Sequence, residues 1–190
     1  MLYSKNYCAT LDACVLYPAP LRDLLLSFAQ AGLFSPKWSE QIQDEWTRNL
    51  LKRRTDLKRH HLNPSIEAMN HAFPDADVKG YIHLIQQLHL PDSQDRHVLA
   101  AAIQSRSDVI VTYNLKDFPD SEVSQHKIKT QHPDVFLVNL FDLAPQQAFS
   151  AFERMVARLK NPPIPPREVI ATLESLNLSK ISSRLNESLH

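Results

Sequence analysis

Apolar and polar positions fall in blocks along this chain, and their period switches repeatedly between that of a strand and that of a helix. Residues 7–17 (YCATLDACVLY) are apolar and β-branched around Asp12, the pattern of a buried strand that ends near the acid. Pro18 and Pro20 then open a helical pattern, LRDLLLSFAQAG, which stops at Gly32. A short strand is expected over residues 33–36, and Ser39 is placed to cap a helix through QIQDEWTRNLLKR. Asn63-Pro64 reads as a loop leading to a helix around SIEAMNHAF, and residues 78–88 carry a weaker pattern.

A sharper pattern follows. Leu90-Pro91-Asp92 is a turn, and Ser93 or Asp95 opens the helix DRHVLAAAIQSR. Directly after it, residues 108–113 (DVIVTY) form a continuous apolar run, expected of a strand buried on both faces. Residues 136–141 (FLVNLF) read as the last strand. Strands alternating with helices in this way predict an α/β fold with a parallel sheet. The character changes after Leu143. An amphipathic helix over residues 146–160, a stiff NPPIPP segment at 161–166 and a second helix near 167–176 precede a polar, Ser-rich tail. The expected organisation is therefore a domain over residues 1–143 and a helical extension over 144–190, hinged at 161–166.

Composition narrows the chemistry. Glycine occurs only twice, which excludes dinucleotide turns and phosphate loops that need several glycines for close approach. No run of about 18 apolar residues occurs, so no membrane span is expected, and the N-terminal segment reads as a strand in place of a secretion signal. Cys8 and Cys14, if on one strand face, stand about 20 Å apart and cannot bridge; two small apolar residues in a reducing cytoplasm are expected. Nine histidines follow no Cys/His spacing typical of structural zinc. The chain has 21 basic and 21 acidic residues, yet residues 48–61 (RNLLKRRTDLKRHH) hold six Lys/Arg against Asp56 alone. Such a run is either a solvated helix end or a phosphate-binding surface.

In open α/β sheets the site lies outside the carboxyl ends of the strands. Asp12 belongs there on the first strand, Asn114 and Asp117 after DVIVTY, Asp95 at the entry of the helix feeding that strand, and Glu45 on the helix after Ser39. Converging carboxylates repel one another unless a hard cation such as Mg²⁺ or Mn²⁺ joins them. Such an ion is suited to phosphodiester hydrolysis. Read singly, the acids are ambiguous: Asp95 and Asp92 suit helix caps or turns, and Glu45 suits a solvated helix face.

Taken together, the LDACVLYPAPLRD, SEQIQDE, DSQD–VLAAAI and VTYNLKDFP blocks resemble the PIN domain, and the bacterial VapC-like ribonuclease toxins in particular. The resemblance spans roughly residues 5–140. It implies a three-layer α/β/α fold, a Mg²⁺ or Mn²⁺ site, an RNA substrate, and an antitoxin as partner; it leaves room for a homodimer. Asp12, Glu45 and Asp95 resemble the family's metal acids, with Asp92 an added acid one turn earlier. Thr112 resembles its small hydroxyl residue. Asn114 stands where many members have Asp, and Asp117 offers the compensating carboxylate. Ser39 supports the helix that carries Glu45, while Arg48, Lys52, Arg53 and Arg54 are the expected RNA contacts. Cys14 stands where the family often has Ser, Thr or Asn, which weakens the expectation of a hydrogen-bonding role there. The rival reading, resting on Asn114, is an inactive PIN fold that binds RNA or protein. A phosphoacceptor signalling domain would need an acidic pair that this chain lacks.

Overall fold

The computed structural model describes residues 7–189. Its centre is a four-stranded, all-parallel sheet in the order β2-β1-β3-β4, formed by β1 (Cys8–Leu11), β2 (Ser35–Lys37), β3 (Val109–Val111) and β4 (Lys129–Gln131). Leu11 pairs with Val111, and Val111 in turn with Gln131, so the carboxyl ends of β1, β3 and β4 lie side by side. All three residues of β3 are buried, as a strand covered on both faces requires. Helices flank the sheet in the three-layer α/β/α arrangement. Among them, α2 (Ala19–Gln30) packs on β2, and α6 (Arg96–Gln104) packs on β1 and β3.

Local signals account for most element ends. Gly32 takes a positive φ of 77° just beyond α2, where the chain must turn left-handed to close the last helical carbonyls. The Ser39 hydroxyl accepts the Ile42 amide at 3.3 Å and so caps α3 (Glu40–Arg53). Ile42 and Trp46 bury one face of α3 completely. Arg22 of α2 lies over the Trp46 ring at 4.6 Å and donates to the Leu16 carbonyl, tying α2 to α3.

Several expectations need correction. The first strand ends beside the acid as expected, at Leu11, but the rest of the apolar segment 7–17 is not extended, because α1 (Ala13–Leu16) takes it. Cys14 is therefore on a helix, and both cysteines are unbridged. Residues 1–6, part of the segment read as strand and not signal, lie outside the described residues. Asn63-Pro64 is not a loop but part of α4 (Arg59–Ala72). The missing Pro64 amide costs only the His60 carbonyl its helical partner, on a turn exposed to solvent. The weak segment that follows holds the one-turn α5 (Ile82–Ile85), and α7 (Asp120–Val123) precedes β4.

The run FLVNLF is not the last strand. It lies within α8 (Pro133–Leu143), with His132 capping the Asp134 amide and Pro133 at the first helical position. Phe136, Leu137, Leu140 and Phe141 are buried at helical spacing. A six-residue apolar run serves a buried helix as well as a strand, and the start signal decides it. The extension comprises α9 (Pro145–Ala157), α10 (Pro166–Ser175) and α11 (Ser179–Ser188). The Ser-rich tail is thus a helix, with Ile181 and Leu185 fully buried against the rest. The buried Asp134 carboxylate accepts the Lys180 and Ile181 amides at 3.1 and 2.9 Å, capping α11 from α8. Among the described residues no helix is long and apolar enough to cross a membrane.

Candidate active site

Asp12 leaves the carboxyl end of β1 and is 3% exposed. Its backbone amide donates to the Val111 carbonyl at 3.1 Å, continuing the β1–β3 register by one step. That step brings Thr112 alongside, and the Thr112 hydroxyl donates to Asp12 Oδ2 at 2.6 Å. The same hydroxyl accepts the Asn114 amide at 2.9 Å, which fixes the direction of its proton. Burial is the main force raising the Asp12 carboxyl above its ordinary value; the Thr112 and Cys14 hydrogen bonds oppose the rise, and the Glu45 charge adds to it.

Cys14 does take a hydrogen-bonding part, contrary to expectation. Its thiol donates to Asp12 Oδ2 at 3.1 Å and its sulfur accepts the Tyr113 amide at 3.3 Å. Burial first, and Asp12 second, push the thiol up, so it remains an S–H donor. Nothing in the order of residues shows this, because the one-turn helix that aims Cys14 back at Asp12 reads as strand.

Glu45 sits at the rim of α3 beside the buried Trp46, with 27% of its side chain exposed. Its Oε2 lies 3.1 Å from His97 Nε2 on the first turn of α6. His97 is the neighbour of Glu45 that sequence reasoning missed; its place two residues after Asp95 was the available signal. Asp95 closes a 3₁₀ turn (Ser93–Asp95) and its side chain caps nothing. Asp92 does the capping, accepting the Gln94 amide at 2.8 Å. The Asp95 carboxyl is pushed up to about 7, first by burial and then by the charges of Asp12, Asp92, Asp117 and Glu45. Asp117, in the 3₁₀ turn after β3, is half-buried, whereas Asn114 is exposed.

Asp95 thus feels four other acids. Among the described residues, however, no three His, Cys, Asp or Glu side chains stand close enough to hold a metal ion by themselves. Both observations hold, because charge repulsion reaches much farther than a ligand bond of about 2 Å.

The basic run divides. Arg54 is engaged by Asp56 through two hydrogen bonds of 2.8 and 2.7 Å, and Arg53 lies over the Tyr17 ring at 5.7 Å. Arg59 pairs with Asp44. Arg48 and Lys52, one turn apart on α3, have no carboxylate within ion-pair distance among the described residues.

Asp12 and Thr112 stand at the strand ends, with Glu45 of α3 and Asp95 of the turn before α6 near them, and a PIN domain family model matches residues 9–116, more than half of the chain. The chain belongs to the PIN domain family. A VapC50 C-terminal domain model matches residues 133–187. The chain is also similar to "Putative ribonuclease VapC50" of Mycobacterium tuberculosis (strain ATCC 25618 / H37Rv), with 40% identity over 94 residues, 50% of this chain and 55% of that protein. The match thus spans about half the length of this curated relative. No solved structure matches the chain.

Proposed function

We propose that this chain is an endoribonuclease that hydrolyses RNA phosphodiester bonds with Mg²⁺ or Mn²⁺, and that it is the toxin of a toxin–antitoxin pair. The observation that carries the reading is the buried Asp12 at the end of β1, held by Thr112, with Glu45 and Asp95 near enough that burial and the neighbouring acids push the Asp95 carboxyl up. Carboxylates gathered without a counter-charge destabilise one another, and such clusters concentrate at functional sites. The toxin assignment draws on the VapC50 C-terminal match and on the name of the relative. On this reading residues 1–143 carry the nuclease and residues 144–190, hinged at 161–166, the helical extension. The setting is the cytoplasm, and a cognate antitoxin is the expected partner.

The donor set fits a hard cation in kind, since every candidate ligand is oxygen. Mg²⁺ in particular keeps several waters and takes few direct protein ligands, so a full protein cage is not required. Asp12, Glu45, Asp95 and Asp117 would hold it, and when bound it supplies a polarised phosphoryl oxygen and a more acidic water. The chain's own residues orient these ligands. Thr112 and Cys14 both donate to Asp12 Oδ2, which fixes the carboxylate plane. His97 holds Oε2 of Glu45. Asp95, its carboxyl pushed up to about 7, would release its proton as a cation is bound beside it.

Cleavage of a labelled single-stranded RNA with Mg²⁺, with Mn²⁺ and with chelator tests the reading. Wild type should cut only with metal, and Asp12→Asn should abolish cutting while retaining a cooperative melt. A fully active Asp12→Asn protein, or cleavage in chelator, would overturn the site. RNA binding without any cleavage would instead favour the inactive binding module. Induced expression should arrest growth for wild type and not for Asp12→Asn.

A further inference from the structure

Beside Glu45 the surface opens into a hollow of about 370 Å³ lined by Gln41, Asp44, Glu45, Arg48, Gln94 and His97. That is the small end of the range for small-molecule sites, suited to a single nucleotide. The hollow adjoins the acids, since Glu45 lines it and the Glu45 charge is felt at both Asp12 and Asp95.

Its chemistry is that of nucleotide recognition. The Gln41 carboxamide is oriented by the Tyr81 hydroxyl, which donates to its oxygen at 2.8 Å and leaves both amide hydrogens for another partner. The Gln94 carboxamide is exposed and shows no hydrogen bond among the described residues; only its backbone amide is bound, to Asp92. A carboxamide offers one donor edge and one acceptor edge, the complement of a nucleobase edge. Arg48 is exposed and without an acidic partner, whereas of the two acids lining the hollow Asp44 is paired with Arg59 and Glu45 is bonded to His97. His97 Nδ1 is buried and lacks any hydrogen-bond partner, an atom that calls for one from solvent or ligand.

We propose that this hollow is a subsite for one unpaired nucleotide of the RNA strand beside the scissile phosphate, its base edge read by Gln41 and Gln94 and its phosphate met by Arg48. Unpaired bases are the ones whose edges amides reach, so the site selects single-stranded segments. The inference rests on the endoribonuclease reading for its place next to the cut, but not for its binding chemistry.

The test is fluorescence anisotropy of short oligo-A, oligo-C, oligo-G and oligo-U RNAs in chelator, with cleavage-site mapping in Mg²⁺ alongside. Wild type should favour one base by about fivefold or more, the low end for a bidentate amide contact. Gln94→Leu should lower that preference, and Gln41→Leu with Gln94→Leu should bring the four oligomers within about twofold. Arg48→Gln should weaken all four alike and reduce the slope of log K against log salt by about 0.7. If Gln41→Leu fails to fold, Gln94→Leu, whose side chain holds nothing, carries the test. Absence of base preference in wild type, or a preference that survives Gln94→Leu, overturns the subsite. Cleavage with an unchanged preference in the variants refutes the subsite alone. Loss of base preference in the variants, with no cleavage by wild type, refutes the endoribonuclease reading and leaves the subsite standing.

Discussion

Replacing Asp95 by Asn should stabilise the metal-free protein at alkaline pH, and the size of the gain follows from the site. Asp95 has its carboxyl pushed up from 3.8 to about 7 by burial and by four neighbouring acids. Between those values the folded protein keeps a proton that the unfolded chain has released. Stability therefore falls as pH rises through that window and stays low above it. At about 1.4 kcal/mol per pH unit, a rise of about three units would cost about 4 kcal/mol in a sealed site. Asp95 is only half-buried, so solvent screening reduces the cost to about 2 kcal/mol. Asn keeps the shape and removes the charge, and no cap is lost because the Asp95 side chain caps nothing. In a chain of this size about 2 kcal/mol corresponds to roughly 4–8 °C. Thermal unfolding in chelator should thus show Asp95→Asn melting higher than wild type at pH 8, with the gap closing toward pH 4. Saturating Mn²⁺ should then reverse the order, because a ligand that binds only the fold adds about 2.7 kcal/mol at a hundredfold excess over Kd. An Asp95→Asn protein that melts at or below wild type in chelator at pH 8 would refute the argument.

Three further outcomes are expected. Asp117→Ala should lower turnover at saturating Mg²⁺ by on the order of tenfold to a hundredfold, and Asn114→Ala far less, because the half-buried Asp117 acts on Asp95 while Asn114 is exposed; a larger loss for Asn114→Ala would reverse the assignment. Neutralising Arg48 and Lys52 together should flatten the salt dependence of RNA binding by about 1.4 in slope, whereas neutralising Arg53 and Arg54, already engaged by Tyr17 and Asp56, should change it less; equal slopes for the two double variants would dismiss the distinction. Asp134→Ala should cost about 2 kcal/mol in a denaturant melt, since two amides of α11 lose a buried acceptor; an unchanged midpoint would mean that α11 is held by its apolar face alone.

The features legible in the linear order were those encoded within a few residues of themselves. Ser39 three residues ahead of Ile42 on its apolar helix face, the DVIVTY run, and the strand ending near Asp12 each state their own local structure, and the parallel sheet follows from their alternation. Where the local code was double-valued, reading failed: FLVNLF suits a strand or a helix, and the Ser-rich tail is a helix that buries Ile181 and Leu185 and is capped by Asp134, more than forty residues earlier. The acids of the candidate site, near enough in space for Asp95 to feel the other four, could be named from the sequence, but their bonds could not. Thr112 meets Asp12 across 100 residues because β1 and β3 pair in register, and His97 meets Glu45 across 52 because α3 and α6 pack together. Cys14 turns toward Asp12 only once the chain bends into α1. The basic run divided for the same reason, since Asp56, Tyr17 and Asp44 select which cations they occupy through tertiary distance. Backbone preference is set by neighbours in sequence, whereas which atom a carboxylate or guanidinium bonds is set by neighbours in space.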